Sequence, residues 1–148
     1  MSRVQLALNV SDLDDAVRFY SALFGTGPAK VRPGYANFAV ADPPLKLVLI
    51  EGVGEPGSLN HLGVEVATTD DVAAAATSRA GQGLETDLEA NTTCCYALQD
   101  KVWVGAPDGK RSEIYAVLAD APDSGDLGGD QRCCSAVSTD APAAAACC

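Results

Sequence analysis

The chain has 148 residues, one domain's worth, with 10 Lys and Arg against 20 Asp and Glu, a formal net charge of −10 and a pI near 4.3. That balance excludes nucleic-acid binding, which rests on basic patches against phosphate. A single His excludes any site built from two or more histidines of one chain, zinc modules with paired histidines included. The hydrophobic fraction of 47% is ordinary for a globular protein. No stretch approaches the ~18 apolar residues of a membrane span, and the start, MSRVQLALNVSDLDD, turns acidic too early for a signal peptide. These features predict a cytoplasmic protein with no membrane partner. Thiols stay reduced in that compartment, so the six Cys lean toward metal binding or chemistry rather than disulfides.

Arg3–Val10 alternates as a strand, with Val4, Leu6, Leu8 and Val10 on one face and Gln5, Ala7 and Asn9 on the other. Ser11, with Asp14 three residues on, is expected to cap a helix; Leu13, Ala16, Val17, Tyr20, Leu23 and Phe24 follow helical spacing, and Gly25 ends it. Three strands are expected around Lys30–Arg32, Gly34–Ala41 and Leu45–Glu51, punctuated by Pro33-Gly34 and Asp42-Pro43-Pro44. Residues 52–59 form a Gly/Pro/Glu-rich linker. The pattern then restarts: a strand over His61–Ala67, an Ala-rich helix over Asp70–Gly81, and strands over Leu84–Glu89, Ala97–Gly105 and Arg111–Leu118, with a turn at Pro107-Asp108-Gly109. Residues 119–148 have no aromatic side chain, and Leu127 and Val137 are their only apolar residues besides Ala and Cys. They cannot bury enough apolar surface to offset chain entropy, so they are expected to form a disordered tail.

The two halves superpose at one constant offset. Gln5-Leu6-Ala7-Leu8-Asn9-Val10 lies over His61-Leu62-Gly63-Val64-Glu65-Val66, and Asp14-Asp15 over Asp70-Asp71. The expected architecture is an α+β domain over residues 1–118 made of two βαβββ modules, with module one at 1–51, a linker at 52–59 and module two at 60–118. Gln5 and His61 then occupy equivalent positions in the two first strands, on the face opposite the apolar run.

Two βαβββ modules of this size resemble the vicinal oxygen chelate superfamily, which includes glyoxalases and extradiol dioxygenases. The resemblance implies half-barrels whose first and last strands supply metal ligands, which here means Gln5, His61 and Glu113. The corresponding strand of module one, Leu45–Glu51, offers Leu47 and Val48 and no obvious ligand. Three protein ligands leave coordination positions open, and an imidazole, a carboxylate and an amide oxygen suit Fe(II) or another first-row dication. A lone strand histidine is ordinarily a core or surface residue. The repeat, and Glu113 preceding the apolar Ile114-Tyr115-Ala116-Val117-Leu118, turn the reading toward a ligand.

Cys94-Cys95 is the second signal. Adjacent residues of a regular strand point to opposite faces, so both thiols reach one atom only where the backbone bulges or loops, and Asn91-Thr92-Thr93 is expected to be that loop. A vicinal pair suits a soft centre such as cadmium, Cu(I) or trivalent arsenic; an organoarsenical R–As(OH)2 exchanges two hydroxyls for two thiolates and keeps its carbon substituent. The plainer alternative makes one Cys a small buried hydrophobe and the other incidental. Cys94-Cys95-Tyr96, Lys101-Val102-Trp103, Pro107-Asp108-Gly109, Glu113-Ile114-Tyr115 and Gln5 to Val10 together resemble the ArsI carbon–arsenic lyase and cadmium-induced protein branch of that superfamily. The resemblance covers nearly all of residues 1–118. It implies an Fe(II)-dependent dioxygenase that holds a trivalent methyl- or aryl-arsenical on Cys94 and Cys95, uses O2 at iron, and releases inorganic As(III). Tyr115 shares Glu113's face and is a candidate for orienting oxygen species, the alternative being barrel packing. Lys101 is a candidate for closing over the site on a mobile loop, the alternative being plain solvation. Cys133-Cys134 and Cys147-Cys148 either scavenge As(III) or cadmium or belong to a dispensable tail. A paired-module chain of this kind is compatible with a homodimer. The competing functions are a non-enzymatic soft-metal or metalloid binder and a glyoxalase-like or drug-binding relative.

Overall fold

The structure is a computed structural model that describes residues 2–94 and 96–121. Its elements run β1 (Arg3–Val10), α1 (Leu13–Phe24), β2 (Lys30–Arg32), β3 (Tyr35–Val40), β4 (Leu45–Glu51), β5 (Leu59–Glu65), α2 (Thr69–Gly81), β6 (Thr86–Cys94), β7 (Ala97–Gly105) and β8 (Arg111–Asp120). This is βαβββ twice, an α+β fold, as the repeat implies. Strand order within module one is β2-β3-β4-β1 and within module two β6-β7-β8-β5, so the repeat in sequence is also a repeat in topology. Among the described residues no helix is long and apolar enough to cross a membrane. The chain divides into two compact units, residues 3–63 and the chain from Val64 onward, with the division inside β5.

In the first unit β1 pairs in parallel with β4, Gln5 opposite Lys46 and Leu8 opposite Leu49, while β3 pairs antiparallel with β4. Helix α1 follows β1 and covers one face of this sheet. Leu13, Ala36, Phe38, Val40, Leu47 and Leu49 form the core, and Leu6, Leu8, Val10, Val17, Tyr20 and Phe24 pack against it. The opposite face of β1 is more buried still: Gln5, Ala7 and Asn9 are each under 5% exposed. Burial of an amide-bearing face calls for hydrogen-bond partners, and it marks this face as something other than a plain core.

The cap of α1 sits one residue later than Ser11. Asp12 has extended backbone and its Oδ1 accepts from the Asp15 N–H at 2.8 Å. The three-residue capping offset therefore falls on Asp12 and Asp15, not on Ser11 and Asp14. Glu51 Oε1 accepts from Leu13 N–H, another donor that the first turn leaves open. Gly25 closes the helix in the left-handed conformation, as expected.

In the second unit β7 is the central strand, antiparallel to β6 and β8. Val72 of α2 packs on Val102, Ile114 and Ala116, with Ala75 and Ala76 alongside. Thr68 and Asp71 form a reciprocal capping box, which is why β5 stops at Glu65 rather than Ala67. β5 begins at Leu59, a residue expected in the linker. β8 continues through Asp120 because Leu98 and Ala97 pair with Ala119 and Asp120, two residues expected in the tail. The segment Asn91-Thr92-Thr93, expected as a loop, is part of β6, which carries a register shift between Glu89 and Thr92. The bulge expected near the cysteine pair is therefore built into a strand: Asn91 has φ of 51° and Tyr96, in the turn to β7, has φ of 64°.

Candidate metal and substrate site

Within residues 3–63, β1 and β5 bring Gln5 and His61 together. Gln5 Nε2 lies 3.1 Å from His61 Nε2, and the two side chains are 3% and 4% exposed. Equivalence in the repeat has thus become contact in space. The other ring nitrogen, Nδ1, lies 2.8 Å from Asn60 Oδ1. Asn60 Nδ2 donates to Asn9 Oδ1 at 2.9 Å, and Asn9 Nδ2 donates to Ser58 Oγ at 2.9 Å. Asn9 also takes part through its backbone: its N–H donates to the Ser58 carbonyl and its carbonyl accepts from Gly57 N–H. A recess of about 450 Å³ lies elsewhere in this unit, at the start of α1 beside Asp12, Arg32 and Glu51, and none of the candidate residues lines it.

Within the second unit Glu113 is 2% exposed, on the face of β8 turned away from α2. Its Oε2 lies 3.4 Å from Lys101 Nζ. Lys101 departs from its expected role: it is a strand residue of β7, 1% exposed, neither on a loop nor solvated. The cause is register. Lys101 and Trp103 sit on the same face as Glu113 and Tyr115, with Trp103 directly opposite Glu113 and Lys101 opposite Tyr115. The Lys101 ammonium also lies 5.3 Å from the Trp103 ring centroid, and Arg111 approaches the same ring at 4.8 Å, so the indole helps to accommodate the buried positive charge. Tyr115 is fully buried and its hydroxyl donates to Glu65 Oε2 at 3.2 Å.

Asp100, on the α2 face of β7, anchors the bulge. Its Oδ2 accepts from Thr69 Oγ1 at 2.6 Å and its Oδ1 from Asn91 N–H at 2.7 Å. The Thr69 hydrogen bond first, and the Asn91 bond second, hold its carboxyl below the usual value against the opposing effect of burial. Cys94 ends β6, paired with Ala97. Cys95, Cys133, Cys134, Cys147 and Cys148 lie outside the described residues.

Two sets of residues escaped the sequence reading. Asn9 and Asn60 had a usable signal: Asn9 shares the face of Gln5, and Asn60 adjoins His61. Asp100 had none, because its partners come from a helix cap and a bulge that only the fold brings together. Among the described residues no group of three or more His, Cys, Asp and Glu side chains gathers to hold a metal ion. The expected set is of another composition, with one imidazole, one carboxylate and one amide. Its chemistry fits a first-row dication, for which imidazole nitrogen, amide oxygen and carboxylate are all suitable donors.

The paired βαβββ modules, and a buried polar face where each first strand meets its neighbours, define a class of metal-dependent and ligand-binding folds. The chain belongs to the Glyoxalase/Bleomycin resistance protein/Dioxygenase superfamily, whose profile matches residues 3–114. It is 61% identical over 121 residues to the cadmium-induced protein CadI of Mycobacterium tuberculosis, spanning 82% of this chain and 80% of that one. It is 59% identical over 136 residues to the trivalent organoarsenical cleaving enzyme of Thermomonospora curvata, spanning 91% of this chain and 89% of that one. Among solved structures it resembles the Mn(II)-bound glyoxalase of Novosphingobium aromaticivorans, with a TM-score of 0.58 and 19% identity over 82% of this chain and 42% of that one, a likeness of fold.

Proposed function

We propose that this chain cleaves the carbon–arsenic bond of trivalent organoarsenicals, releasing inorganic As(III) and an oxidised carbon fragment. The observation that carries the proposal is the buried Gln5–His61 contact, an amide and an imidazole placed where a structural core would carry apolar side chains. The substrate class is supported by the likeness to the Thermomonospora curvata enzyme. Gln5, His61 and Glu113 would hold Fe(II), and Cys94 and Cys95 the arsenical. Bound there, the iron supplies the means of activating O2.

The protein's own part is positioning and charge control. Cys94 and Cys95 exchange two arsenic hydroxyls for two thiolates, with loss of two waters, and leave the carbon substituent in place. The Lys101 ammonium, 3.4 Å from Glu113 Oε2, orients that side chain within a buried face. Tyr115 is held by Glu65, so its hydroxyl has a fixed direction. Binding the arsenic in one place relative to the iron ligands contributes through proximity.

The name of the Mycobacterium tuberculosis relative favours a second reading, sequestration of a soft metal by the cysteine pair without turnover. Two variants separate the parts of the site. Cys95→Ser removes tight binding of a trivalent arsenical while sparing Fe(II) binding, and His61→Ala does the reverse. Full activity in both variants would refute the assignment.

A further inference from the structure

We infer that Asn60 is a positioning residue for His61, and that a relay running back to the loop at residues 52–58 fixes which ring nitrogen carries the proton. The direction of every bond in the relay follows from its far end. Ser58 Oγ lies 2.6 Å from the Glu55 carbonyl oxygen, which can only accept. The hydroxyl has one hydrogen and spends it there, so it must accept from Asn9. Asn9 therefore presents Nδ2 to Ser58 and Oδ1 to Asn60. Asn60 in turn presents Nδ2 to Asn9 and Oδ1 to His61. An oxygen 2.8 Å from Nδ1 requires Nδ1 to be the protonated nitrogen. In the neutral ring Nε2 then carries the lone pair, and Nε2 is the nitrogen that meets Gln5.

The loop is shaped to hold this relay. Gly54 has φ of +62°, and a Cβ there would sit 2.5 Å from Asn9 Nδ2. The backbone can approach Asn9 this closely only because residue 54 has no side chain. The Gly57 and Ser58 backbone groups fasten Asn9 from the same side. A single carbonyl thus decides the tautomer of the chain's one histidine through three side chains. The purpose rests on the proposed role of His61 as a metal ligand: a hydrogen bond at the far nitrogen orients a ligating imidazole and raises its donor strength.

One histidine makes the test direct. The metal-free protein is labelled with 15N-histidine and its ring nitrogens are recorded by long-range proton–nitrogen correlation at alkaline pH. The native chain is expected to show one imidazole with Nδ1 protonated. Asn60→Ala should move it to the Nε2-protonated form that free imidazole favours, and Asn60→Asp, which keeps an acceptor oxygen, should restore the Nδ1 form. Ser58→Ala, which removes the anchor, should give a mixture of the two. Anaerobic Fe(II) titration should show about 10–100-fold weaker binding for Asn60→Ala and recovery for Asn60→Asp. An Nε2-protonated ring in the native chain would overturn the inference. A pure Nδ1 form in Ser58→Ala would overturn the part assigned to the loop. The tautomer is read without metal or substrate, so it stands or falls separately from the proposed lyase activity: a native Nδ1 form in a chain that binds no Fe(II) upholds the relay and counts against the metal site alone.

Discussion

Asp100→Asn is the substitution whose consequences the structure sets out most fully. The Asp100 side chain is 7% exposed, and its two oxygens accept from two different donors, the Thr69 hydroxyl at 2.6 Å and the Asn91 N–H at 2.7 Å. Asparagine has the same shape but only one acceptor oxygen; with Oδ1 kept on the Asn91 N–H, its NH2 group faces the Thr69 hydroxyl, which turns to accept from it. Both bonds to a charged acceptor become neutral ones, and a loss of about 1–2 kcal/mol is expected. For a domain of this size that corresponds to roughly 3–5 °C in Tm per kcal/mol. Urea unfolding at neutral pH measures it. The pH dependence gives a second constraint. The folded-state pKa of Asp100 is depressed, so its contribution is complete above the unfolded value of about 3.9 and is lost as pH falls through the folded value. The gap between native and Asp100→Asn proteins should be constant above about pH 5 and close in acid. The Asn91 amide should also exchange faster with solvent, because the anchor of the bulge is weaker. Equal stability at neutral pH, or a gap that persists unchanged into acid, would refute the reasoning.

Three further outcomes are expected. Lys101→Met leaves Glu113 buried without its ammonium and should cost about 3–5 kcal/mol by urea denaturation, much of it recovered in the double variant with Glu113→Gln; additive losses would contradict the pairing. Phe38→Ala, at the centre of the module-one core and fully buried, should cost about 3–5 kcal/mol in the same assay. Gly54→Ala should weaken Fe(II) binding, since the added methyl meets Asn9 and displaces it from the relay; an unchanged titration would count against the loop's role.

The repeat was legible in the sequence because its first strands share a pattern: alternation puts Gln5 and Asn9 on one face, and the same register places His61 and Glu65 in module two. The contact of Gln5 with His61 was implied by that equivalence. The role of Lys101 was not legible. A lone lysine reads as solvated or as part of a mobile loop, and only the β7–β8 register reveals that it shares a buried face with Glu113 and Tyr115. Similarly, Asn91-Thr92-Thr93 has the composition of a loop, yet β7 supplies a partner strand and the Asp100 carboxylate accepts from the Asn91 N–H at the bulge. Tertiary pairing overrides local preference at both places. The helix start was misplaced by one residue because Ser11-Asp12 offers two adjacent capping side chains, and only the backbone decides between them.

Anaerobic reconstitution with Fe(II), followed by admission of O2 in the presence of a trivalent methyl- or aryl-arsenical, tests the central claim most directly. Separation of the arsenic species after reaction, alongside an O2 electrode, should show inorganic arsenite released over many turnovers together with O2 uptake. One arsenical bound per chain, with no arsenite released and no O2 consumed, would contradict cleavage and leave sequestration as the function.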